Sequence, residues 1–109
     1  MEVLMVYITA SDLSEARKIG EAVVEERLAA CVNIVDGAQS IYRWHGKIQH
    51  EKEAIIIAKT RKELLSMLID RVRSLHSYEC PCVVALPIEA GYEPFLEWVG
   101  SETGASGCD

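Results

Sequence analysis

His76, Cys80 and Cys82 place one imidazole and two thiols on a short stretch of chain, in the spacing H-x-x-x-C-x-C. One nitrogen and two thiolate sulfurs would suit Cu(I) or Zn(II), the softer donors selecting copper. Cysteines two apart on a strand point to the same face, which helps two thiols share an ion. Pro81 between them breaks the regular strand backbone. The same residues also have a plainer reading, in which both thiols are buried small hydrophobes and His76 contacts the end of a helix. The spacing is looser than paired CxxC knuckles. Covalent catalysis finds less support. A Cys82–His76 nucleophile pair has no evident third residue to orient the base, and Glu51 and Glu53 sit on a polar strand edge. The chain has no P-loop, nucleotide-binding glycine motif or G-x-S-x-G elbow. A non-enzymatic protein without an organic cofactor is expected.

These donors must be positioned by the elements around them. Val3 to Thr9 is a nearly continuous apolar run and reads as a strand in mid-sheet. Asp12-Leu13-Ser14-Glu15 starts a helix, which carries Leu13, Ala16, Ile19, Ala22, Val23 and Leu28 at helical spacing and ends near Arg27. A second strand runs from Ala30 to Trp44, with a bulge or bend at Asp36-Gly37, and a third from Lys47 to Lys59. Thr60-x-x-Glu63 reads as a capping box opening a second helix to about His76, with Leu64, Leu65, Leu68, Val72 and Leu75 as its stripe. Cys82 to Pro87 is a fourth strand. Pro94 stands near the start of a third helix that Gly100 ends, and residues 101–109 form a frayed tail.

The order β-α-β-β-α-β plus a C-terminal helix predicts an α+β, ferredoxin-like sandwich: two helices on one face of an antiparallel sheet. The two strands folded back at Trp44-His45-Gly46-Lys47 are each about a dozen residues or more, roughly twice the usual length. Strands that long overhang the core of a single chain and leave backbone groups seeking a partner, so the hairpin predicts an oligomer.

Composition sets the outer bounds. A chain of 109 residues, half of them hydrophobic, makes one domain (residues 1–109) with a real core and no need of staples. The net charge of −6 disfavours nucleic acid and anionic membranes as partners and mildly favours cations. Met1 to Thr9 is too short to span a membrane, and the first basic residue is Arg17, so a strand is expected rather than a signal peptide, and the cytoplasm as compartment. The four cysteines do not read as a secreted disulfide framework.

Several segments together resemble the CutA divalent-cation-tolerance family, from Val6 to Val99. They are Arg27-Leu28-Ala29-Ala30-Cys31-Val32-Asn33, Ser40-Ile41-Tyr42-Arg43-Trp44-His45-Gly46-Lys47-Ile48, Glu51 and Glu53, Lys59-Thr60, Leu75-His76-Ser77-Tyr78 with Pro81, and Tyr92 with Leu96-Glu97-Trp98. The resemblance implies the ferredoxin-like fold, a tight homotrimer whose long hairpins clasp neighbouring protomers, and kinship with PII-type signalling proteins. It implies tolerance to copper and other divalent metals, with copper binding in some members. Two departures stand out: Ser77 replaces the family's usual proline, and Ile8 and Leu75 occupy positions where copper-binding members place a cysteine and a second histidine. Of that ligand set His76 remains, and Cys80 and Cys82 are the expected substitutes for the missing thiol.

Tyr42, Trp44, Lys59 and Tyr78, together with His76, match positions the family shares. Lys59 ends an apolar strand, where its cation needs a carboxylate or a ligand anion. Either the set packs an interface, with Lys59 paired to Glu51 or Glu53 of a neighbour, or it lines a small-molecule pocket between protomers. The two functional expectations are therefore a homotrimer that binds copper or another divalent metal, and a PII-like regulatory or interaction trimer with a small anion or protein in an inter-protomer cleft. Cys31 is expected in the core, and His45 and His50 as solvated flanks of the hairpin.

Overall fold

Strand alternation decides which side chains the helices cover. In the computed structural model, which describes residues 1–104, β1 (Val3–Ala10) turns Leu4, Val6, Ile8 and Ala10 inward, and all four are buried. The third strand, β3 (Lys47–Arg61), does the same with Ala54, Ile56, Ala58 and Thr60. Onto this face pack α1 (Leu13–Glu25), through Ala16, Ile19 and Val23, and α2 (Leu65–Leu75), through Leu68 and Val72. Gly20 lets α1 approach the sheet closely, since a Cβ there would stand 3.0 Å from a Val32 methyl.

The sheet is antiparallel, in the order β2-β3-β1-β4, with β2 at Cys31–Trp44 and β4 at Val83–Pro87. This is the expected ferredoxin-like arrangement. The hairpin strands hold 14 and 15 residues. Their register slips between Val35 and Ala38, where Gly37 adopts φ +80°, so the bulge falls at the expected Asp36-Gly37. β1 accounts for β3 only as far as Ala54. Beyond it the hairpin continues alone and stretches the molecule to 48 × 26 × 21 Å.

Two boundaries differ from expectation. Thr60 caps no helix. It is the penultimate residue of β3, fully buried, and its hydroxyl donates to the Leu28 carbonyl at 2.7 Å. A 3-10 turn, Lys62–Leu64, separates it from α2. The C-terminal helix α3 (Glu93–Glu102) runs past Gly100. Thr103 behind it is buried and returns its hydroxyl to the Val99 carbonyl, so residues 101–103 are built in rather than frayed. The Arg27 and Arg61 guanidiniums hold the carbonyls of Glu102 and Thr103. Residues 105–109 of the expected tail, including Cys108, lie outside the described residues.

Candidate functional site

The strand register builds a cleft at the root of the hairpin. Near the end of β1 Thr9 pairs with Ile55, and β4 begins at Val83 opposite Ile8. The segment linking α2 to β4 therefore lies beside the ends of both strands, facing the inner wall of the overhanging hairpin. The cavity between them measures about 790 Å³. The hairpin lines it with Tyr42, Trp44, Glu51 and Glu53, and the linking segment with Tyr78, Glu79, Cys80 and Cys82. A larger hollow of about 1080 Å³ beside Met1 and α3 has carboxylates but no thiol, imidazole or phenol.

Two phenol–carboxylate pairs sit on the cleft's floor. Glu51 and Glu53 are two apart on β3 and share a face. The Tyr42 hydroxyl donates to Glu51 Oε1 at 2.6 Å, and the Tyr78 hydroxyl to Glu53 Oε2 at 2.8 Å. The hydrogen bond to Glu51 pushes the Tyr42 phenol up to about 12. Burial, and then Glu53, push Tyr78 higher still, so both phenols remain neutral donors. Burial and the Glu53 charge likewise push the Cys82 thiol up. Glu53 is only 7% exposed, and among the described residues no Lys, Arg or His nitrogen lies within ion-pair distance of it.

His76 holds the cleft's wall in place without lining it. Its imidazole is fully buried. Nε2 lies 2.7 Å from the Thr9 carbonyl, and Nδ1 accepts the Tyr78 backbone N–H at 3.0 Å. A carbonyl only accepts, so the proton sits on Nε2 and the Nδ1 lone pair is occupied. Glu15 completes the cluster. Its carboxylate accepts the backbone and hydroxyl of Ser11, both at 2.9 Å, and the Ser77 N–H at 2.8 Å. Burial alone would raise its pKa, but the bonds from Ser11 and Ser77 outweigh that and hold it down at about 2. The Ser77 N–H is a donor that proline in the same place would lack.

The expected ligand set is therefore divided. Cys80 and Cys82 share the cleft, Cys80 exposed and Cys82 partly buried. His76 is nearby through Thr9, as the topology suggested, but both its ring nitrogens are engaged. Among the described residues no group of three or more His, Cys, Asp or Glu is placed to hold a metal ion. A joint His76–Cys80–Cys82 centre is thus not formed in this conformation. Ile8 is wholly buried in the core.

The polar-aromatic set divides as well. Tyr42, Trp44 and Tyr78 line the cleft, whereas Lys59 lies further along β3, opposite Cys31 and Met5, with its ammonium donating to Asn33 Oδ1. Cys31 is partly exposed rather than in the core. Glu15 and Glu79 escaped notice from sequence. The helix-start pattern placed Glu15 at α1, but nothing in it signalled a bond to Ser77, 62 positions away.

Fold and cleft together define a class: a ferredoxin-like sheet protein with an overhanging hairpin and an acidic, thiol-bearing cleft at its root. The family model for the CutA1 divalent ion tolerance protein matches residues 4–102, and the chain belongs to that family. It is 46% identical over 100 residues to the divalent-cation tolerance protein CutA of Thermus thermophilus, covering 92% of this chain and 97% of that one. It is 43% identical over 100 residues to the chloroplastic protein CutA of Arabidopsis thaliana, covering 92% of this chain but only 55% of that protein's length. Among solved structures, the periplasmic divalent cation tolerance protein CutA of Archaeoglobus fulgidus superposes with a TM-score of 0.90 at 42% identity, covering 93% and 98% of the two chains.

Proposed function

We propose that this protein contributes to divalent-cation tolerance by taking up the cation itself, in the cleft at the root of the hairpin. The observation that carries this is Glu53, a buried carboxylate whose hydrogen-bonding partner is a neutral phenol. Burying an anion without a counter-charge is costly, and a cation entering the cleft would relieve that cost. Glu51 and Glu79 add negative potential, and among the described residues no Lys, Arg or His belongs to the lining. Glu53 supplies oxygen and Cys80 and Cys82 supply sulfur, a mixed set suited to copper or another thiophilic divalent ion. The donors do not yet converge, so uptake requires the Ser77–Cys82 segment to close or a neighbouring protomer to add a ligand.

The PII-like alternative, with an anionic ligand between protomers, stands second: within one chain its cation, Lys59, is engaged by Asn33 and lies outside this cleft. We further infer a homotrimer, argued below, and the cytoplasm as compartment, where thiols such as Cys31, Cys80 and Cys82 stay reduced.

The test is anaerobic titration of the reduced protein with Cu(I) and Cd(II) against a competing chelator. One ion per chain is expected. Affinity should fall by about tenfold or more in Glu53→Gln and in the Cys80→Ser/Cys82→Ser double variant. Binding that is unchanged in both variants would place the cation elsewhere and overturn the cleft.

A further inference from the structure

Two thiols separated by a single proline line the same acidic cleft. The chain bends through residues 77–80 and takes up strand geometry only at Val83, so Cys80 and Cys82 both lie outside β4. In a fully extended chain, residues two apart stand about 6.6 Å from Cα to Cα, at the upper end of what a disulfide spans. Outside a strand no pleat holds them that far apart. Pro81 has no N–H, so the backbone between the thiols gives up no hydrogen-bond donor when it flexes. Cys80 is exposed, and Cys82 is partly buried.

We propose that Cys80 and Cys82 form a thiol–disulfide exchange site that reacts with small cationic disulfides and closes to a Cys80–Cys82 bridge. The exposed Cys80 is the first nucleophile. Its sulfur gives up its proton and attacks one sulfur of the small disulfide, whose S–S bond breaks. One half leaves as a thiol, taking a proton, and the other stays on Cys80 as a mixed disulfide. Cys82 then loses its own proton, attacks the Cys80 sulfur and expels the second half as a second thiol. Two electrons pass from the protein to the small disulfide, and the two released thiols balance the bridge. A bridge across so short a loop is strained, so excess small thiol readily reverses it.

Charge around the thiols selects the reagent. Glu51 and Glu53 come from β3, Glu79 directly precedes Cys80, and among the described residues no Lys, Arg or His lines the cavity. Each carboxylate attracts a disulfide that bears ammonium groups and repels one that bears carboxylates. The half-exposed rings of Tyr42 and Trp44 add faces over which an ammonium can rest. In a reducing compartment the site stays open as a dithiol and closes only under disulfide stress. The bridge takes both sulfurs out of the donor set of the proposed cation cleft. That consequence rests on the metal reading, whereas the exchange itself does not.

The experiment is intact-mass measurement and peptide mapping of the full, reduced, metal-free protein, treated with cystamine, a dication, or with oxidised glutathione, an anion. Each rate is divided by that of N-acetylcysteine amide, a neutral thiol, with the same reagent, which removes the reagents' own reactivity. Cys80 should favour cystamine by about tenfold or more at low salt, and the preference should shrink at high salt. The parent protein should lose two hydrogens and carry no adduct, whereas Cys82→Ser should halt at the mixed disulfide on Cys80. Glu51→Gln/Glu79→Gln should bring the preference down toward that of the neutral thiol without stopping the bridge. A parent that retains the adduct, a Cys80 with no preference for cystamine, or a bridge that maps to Cys31 or Cys108 overturns the site. No metal enters this experiment, so a bridge that forms in a protein unable to bind the cation counts against the metal reading alone. Tight cation binding without exchange counts against this proposal alone.

Discussion

At the residue scale, Glu15 ties three segments together through one carboxylate: Ser11 just past β1, its own helix, and Ser77 before β4. Its pKa is about 2 in the folded chain against an ordinary 4.5. A depressed carboxylate contributes stability that is fully present above its unfolded value and drains away as pH falls through the folded one. Glu15 should therefore stabilise the fold above about pH 4.5 and cease to do so near about pH 2. Glu15→Gln is expected to lower stability at neutral pH by about 2 kcal/mol and to flatten the acid limb of a stability–pH curve read by urea unfolding. An acid limb unchanged in the variant would mean another carboxylate governs it. Asp12 was legible as a helix cap because capping is local, and its side chain does accept the Glu15 N–H at 2.8 Å. The Glu15–Ser77 bond was not, because it joins segments that only tertiary packing brings together. His76 was expected as a metal ligand, but its orientation turned on Thr9 and Tyr78, which no spacing rule encodes.

Elements show the same division between local and non-local causes. Thr60-x-x-Glu63 has the residue types of a capping box, yet pairing with β1 extends β3 through Leu4↔Thr60 and Val3↔Arg61. The buried alternation Ala54, Ile56, Ala58, Thr60 was the sequence signal for this, and it outweighs a motif of two residues. The hairpin's length, its bulge and its turn were all legible, because each follows from short-range rules. At the turn, His45 has φ +50° and Gly46 φ +77°, the positive pair that a type I′ connection demands. Glycine accepts that backbone freely, whereas histidine is held there at a cost that asparagine largely avoids. His45→Asn should therefore raise stability by about 0.5 kcal/mol, seen as a rise of about 2 °C in thermal unfolding, while Gly46→Ala should lower it. A turn indifferent to both substitutions would show that the hairpin's tip is held by contacts beyond its own backbone.

For the whole molecule, the proposed trimer rests on the face of the sheet that the helices leave bare. Met5 and Leu86 are cross-strand partners there, as are Tyr7 and Val84. In one chain Met5 and Tyr7 are 36% and 37% exposed, and Val84 and Leu86 are 54% and 59% exposed. Four large apolar side chains in a single patch, beside β4, the edge strand of the sheet, are a surface that water penalises and another copy can cover. Ile41 and Ile48 extend the exposure along the overhanging hairpin. Each feature asks for a partner, and a closed ring of identical chains supplies all of them at once. A carboxylate placed at the centre of that patch would be buried unpaired in the assembly yet solvated in the lone chain, so Leu86→Glu acts against the oligomer and spares the fold. Light scattering behind size exclusion should give three 12.1 kDa chains per particle for the unaltered protein and a monomer for the variant. The variant should keep its far-ultraviolet circular dichroism and unfold at a markedly lower temperature, because assembly and stability are linked. A parent protein that runs as one chain at micromolar concentration would remove the trimer, and with it any neighbour to complete the cation's coordination. A variant that stays trimeric would instead move the interface off this face and onto the hairpin.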